Sequence, residues 1–107
     1  MKAYNKLVRD NIPAIIKESG KSCQIRTLSH EEFIVELKKK FVEESEELVK
    51  TTTITETIEE LADIYTLIEA LKESINIKEE TILNAKNEKN KKRGSFNNKV
   101  FLENVWE

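Results

Sequence analysis

Three helix-start signals constrain this chain more than any other feature. Ser29 with Glu32, Thr53 with Glu56 and Asn76 with Glu79 each set a short polar side chain three residues ahead of a glutamate. At that spacing the two side chains can bond the free N–H groups of a first helical turn. With two glycines and one proline in 107 residues, there are few sites for tight hairpins, and a single domain spanning residues 1–107 is expected. The pattern predicts an all-α fold. One helix runs from near His30 to about Lys50, a second carries Ile58, Leu61, Ile64, Tyr65, Leu67, Ile68 and Leu71, and a third starts at Asn76/Glu79 and ends at Gly94. The β-branched stretch TTTIT joins the first two, because its side chains lose rotamer freedom inside a helix.

Ahead of these helices, MKAYNKLVRDNIPAIIKESG reads as an extended arm followed by a short helix that Pro13 starts and Gly20 ends. The next stretch, SCQIRTL, is a connection. At the other end, FNNKVFLENVWE is too apolar for a free tail and is expected to fold back onto the bundle or onto a partner chain. Wide apolar helix faces predict an antiparallel bundle whose four-helix core is completed by dimerisation.

A net charge of −2 gives no global attraction to nucleic acid or anionic lipid. The lone Cys23 forms no internal disulfide, the start of the chain lacks the pattern of a signal peptide, and no apolar run approaches the roughly 20 residues that cross a bilayer. These features predict a soluble cytoplasmic protein with no membrane partner.

Residues 43–63 hold seven glutamates and one aspartate together with Leu48, Ile54, Ile58 and Leu61. At about 100° per residue, Phe33, Leu37, Phe41 and Leu48 cover one arc of the first long helix. Glu44 falls inside that arc, Glu47 lies at its margin, and Glu43 and Glu46 point away. On the second helix Glu60 lies within the apolar stripe, Asp63 sits at its margin, Glu56 lies near the same side and Glu59 falls outside. A run of glutamates on a helix is ordinarily a solvated face. Two inward i, i+3 pairs on consecutive antiparallel helices argue against that here. Ionised carboxylates taken out of water cost several kcal/mol unless a cation compensates them. Oxygen ligands without a nearby histidine or cysteine favour Mg²⁺, with Mn²⁺ as the other candidate, and Mg²⁺ commonly shares its shell with substrate phosphates. The expected chemistry is therefore that of a phosphate ester or anhydride.

These residues carry a resemblance. EESEE supplies E-E-x-x-E at Glu43, Glu44 and Glu47, and EELAD supplies E-x-x-D at Glu60 and Asp63. The pair resembles the MazG-like all-α nucleoside triphosphate pyrophosphohydrolases. YNKLVRDNIPAII near the start, and KNKKRGSF with VFLENV near the end, extend the likeness to a small single-domain subgroup similar to phosphoribosyl-ATP pyrophosphohydrolase. The resemblance implies hydrolysis of a nucleoside triphosphate to the monophosphate and pyrophosphate, as in removal of unwanted nucleotides. It implies Glu44, Glu47, Glu60 and Asp63 as magnesium ligands and a homodimer or tetramer; Glu43 and Glu44 are the candidate catalytic groups, with Glu43 expected to hold or deprotonate the attacking water. Ser95 stands where the subgroup usually shows a second glycine, and the spacer between the two acidic helices is short.

Lys86, Lys89 and Arg93, with Lys92 beside them, share one side of the third helix. Lys89 and Arg93 match the K-x-x-x-R-G stretch of the subgroup and are the candidate substrate-phosphate contacts. Cations at a helix C-terminus also oppose its dipole, which is a sufficient reason for their presence. Lys6 and Arg9 in the arm can reach phosphates or form surface ion pairs. Two other classes of function compete with the enzyme: a non-catalytic helical interaction module, and a nucleic-acid binder using the basic helix near residues 86–93. His30, Cys23, Phe101 and Trp106 have no ligand spacing and read as surface or packing residues.

Overall fold

A computed structural model describes all 107 residues and is all-helical, with four helices and no strand. The chain falls into two compact units, Met1–Asn76 and Ile77–Glu107.

In the first unit, an arm without regular structure leads into α1 (Ile12–Glu18), with Pro13 in its first turn. Beyond α1 the chain turns through Gly20, whose φ of +86° lies in the left-handed region that glycine enters freely. A coil then reaches α2 (His30–Lys50). Here the capping box is complete: Ser29 Oγ accepts from the Glu32 N–H, and the Glu32 carboxylate accepts from the Ser29 N–H. Arg26 donates twice to the same carboxylate, at 2.9 and 3.3 Å, and holds it well below the usual range, at about 2.

α2 stops at Thr51, and three residues later α3 (Ile54–Ser74) begins, capped by Thr53 Oγ1 on the Glu56 N–H. Two 21-residue helices joined by so short a link must pack antiparallel, and α2 against α3 is the main packing in the chain. The inner stripe of α2 holds Phe33, Leu37, Lys40, Phe41, Glu44 and Leu48, and that of α3 holds Thr57, Glu60, Ile64, Leu67 and Leu71. Only Leu37 (2% exposed) and Leu67 (9%) are buried. The apolar core of the single chain is thus narrow.

The start signal at Asn76 is not used. Asn76 has φ +53° and its N–H donates to the Glu73 carbonyl, so it helps end α3. In the second unit, α4 (Glu79–Arg93) starts after Lys78 without a side-chain cap and ends at Gly94, as expected. It buries no residue. In the tail, Phe96 is 98% exposed, and Phe101, Leu102 and Trp106 are also exposed. No helix is long and apolar enough to cross a membrane.

Candidate metal centre

α2 and α3 bring together Glu44, Glu60 and Asp63. One carboxylate oxygen from each lies within 4.8 Å of the others, and all three side chains are half-buried. The register that makes α2 amphipathic carries Glu44 inward two turns beyond Leu37. The same period on α3 carries Glu60 inward two turns before Leu67. In an antiparallel pair these displacements lead to the same level, so helix packing forces the carboxylates to meet.

Their electrostatics follow from that placement. Burial, hydrogen bonding with Glu60 and the negative charges of Asp63 and Glu60 push the Glu44 carboxyl up to about 7, against a small opposing pull from Lys40. Glu60 Oε2 is buried with no hydrogen-bond partner. An orphaned buried carboxylate oxygen is costly, and here it lies in a group rich in acidic side chains. A hard divalent cation satisfies such a donor set, because it accepts carboxylate oxygens and needs neither nitrogen nor sulfur.

Glu47, expected as a fourth ligand, is exposed and lies outside this group. Glu43, placed by sequence on the outward side, is half-buried and held between two cations: Lys40 Nζ at 3.3 Å and Lys6 Nζ at 3.4 Å. Burial works to raise its carboxyl, but Lys40 and Lys6 outweigh that and hold it below the ordinary carboxylate range. Asp63 accepts from Arg9 Nη2 at 2.5 Å. The arm therefore lies against the acidic end of the helix pair through Lys6 and Arg9.

Lys40 belongs to none of the sequence motifs, and its position three residues before Glu43 on the inward arc of α2 is the local signal for this pairing. Lys89 and Arg93 belong to the second unit. Both are exposed, and Arg93 lines a hollow with Asn90, Ser95 and Asn97. Lys91, Lys92 and Arg93 form the basic last turn of α4.

No protein-family model, curated protein or solved structure matches this chain.

Proposed function

We propose that the protein is a Mg²⁺-dependent nucleoside triphosphate pyrophosphohydrolase. The observation that carries this reading is the convergence of Glu44, Glu60 and Asp63, with Glu60 Oε2 buried and unpartnered. Water oxygen attacks the α-phosphorus and its proton passes ultimately to solvent, the bond from that phosphorus to the α–β bridging oxygen breaks, and pyrophosphate leaves with the bridging oxygen. Glu44, Glu60 and Asp63 would hold the metal. When bound, the ion supplies charge neutralisation of the polyphosphate and a lowered pKa for a water. Glu43, held between Lys40 and Lys6, holds or deprotonates that water. Lys89 and Arg93 are proposed to bind the phosphates. The resemblance supports a role in clearing unwanted nucleotides from the cytoplasm.

The working form is a homodimer. α2 carries a second apolar row, Val35, Val42 and Val49, at intervals of seven, and α3 carries Ile58, Leu61, Tyr65 and Ile68 at alternating intervals of three and four. Both rows are exposed: Val42 is 59% exposed and Tyr65 69%. This 3–4 spacing is that of helices packed in a bundle, and a second helix pair supplies the missing half of a four-helix core.

The test is incubation with a panel of nucleoside triphosphates, with and without Mg²⁺, followed by analysis for monophosphate and pyrophosphate. Pyrophosphate that requires Mg²⁺ and is lost in Glu60→Gln supports the reading. No pyrophosphate from folded protein across the panel refutes it.

A further inference from the structure

We infer that Arg9 is the resident counter-ion of the carboxylate cluster, and that a divalent ion displaces it from Asp63 and frees its guanidinium for the polyphosphate. This inference rests on the metal reading above.

Lys6 and Arg9 lie three residues apart on an arm without helix or strand, yet both reach the acidic end of the helix pair. Lys6 bonds Glu43 across 37 positions of sequence, and Arg9 bonds Asp63 across 54. Of the three clustered carboxylates, Asp63 is the one that carries a cation from another element. The guanidinium thus occupies Oδ1 of a carboxylate that belongs to the candidate ligand set.

The pair is weak enough to yield. The side chains of Arg9 and Asp63 are 57% and 36% exposed, so water and salt screen their attraction. A divalent ion brings twice the charge to the same oxygens and gains the neighbouring carboxylates as well. Once displaced, the Arg9 guanidinium stays beside the site. Its planar fork of donors matches phosphate oxygens. Lys6, on Glu43, keeps the arm in place during the exchange. The arm thereby blocks the metal position weakly in the empty protein and contacts the substrate in the loaded one.

The test uses the whole chain and Mn²⁺ alone, followed through the electron paramagnetic resonance of the free ion. Arg9→Gln is expected to bind Mn²⁺ about two- to fivefold more tightly than the wild type, the range set by loss of an exposed ion pair. On the unaltered protein, saturating Mn²⁺ is expected to speed tryptic release of the peptide ending at Arg9, and an α,β-methylene triphosphate added with the metal to slow it again. Equal Mn²⁺ affinities, or tryptic release indifferent to Mn²⁺, overturn the inference. If neither protein binds Mn²⁺, the metal reading falls and this inference with it. If the Mn²⁺ results hold but no triphosphate is hydrolysed, the exchange stands and the enzymatic reading alone is lost.

Discussion

A carboxylate oxygen of Glu44 on α2 lies within 4.8 Å of one of Glu60 on α3, in the same inner stripes that enclose Leu37 and Leu67. Burial, with Glu60 and Asp63 beside it, pushes the Glu44 carboxyl up to about 7, because carboxyl groups this close resist both being ionised. The helix pair therefore spends some of its stability on holding acids together, a cost that makes sense where function needs the assembly.

The sign of the resulting pH dependence is fixed. Glu44 titrates near 7 in the folded chain and near 4.5 when unfolded, so between these values the folded state binds more protons. Its contribution to stability is present below about 4.5 and is lost as pH rises through about 7. Urea midpoints measured without metal from pH 4.5 to 8 should fall across this window in the wild type, and Glu44→Gln should remove most of the decline.

Metal binding should reverse that penalty. Mg²⁺ at a hundredfold excess over its Kd should stabilise the wild type by about 2.7 kcal/mol. Glu60→Gln should lose this gain, whereas Glu47→Gln, altered at an exposed position outside the cluster, should keep most of it. Thermal melts with and without Mg²⁺ measure both.

Much of this architecture was readable from the residues, for reasons that also explain the exceptions. Ser29 and Thr53 cap α2 and α3 as their spacing to Glu32 and Glu56 indicates, because caps are local hydrogen bonds. Asn76 has the same spacing to Glu79 but adopts a left-handed conformation open to asparagine, and so serves the end of one helix in place of the start of the next. The 100° period brought out Glu44, Glu60 and Asp63. It gave no sign of the Lys6–Glu43 contact, because pairings across 37 residues leave no trace in local periodicity. Arg9 and Asp63, 54 residues apart, were equally illegible as a pair.

Because the single-chain core is so narrow, each enclosed leucine carries unusual weight. Leu37→Ala should cost about 2–5 kcal/mol, and Thr53→Ala, which removes the α3 cap, about 1 kcal/mol. Chemical denaturation at pH 7 tests the order: Leu37→Ala must be the more damaging.

If the exposed rows of α2 and α3 are a subunit seam, charge placed in them should separate the copies. Val42→Glu or Tyr65→Glu should shift sedimentation from dimer to monomer and lower the melting temperature, whereas Lys39→Glu, at an exposed polar position, should leave the dimer intact.

The most direct measurement is anomalous scattering at the manganese edge from crystals of the unaltered protein grown with Mn²⁺. A peak bounded by the carboxylates of Glu44, Glu60 and Asp63 is the predicted result. Crystals with saturating Mn²⁺ that show no peak among these three groups would contradict the account.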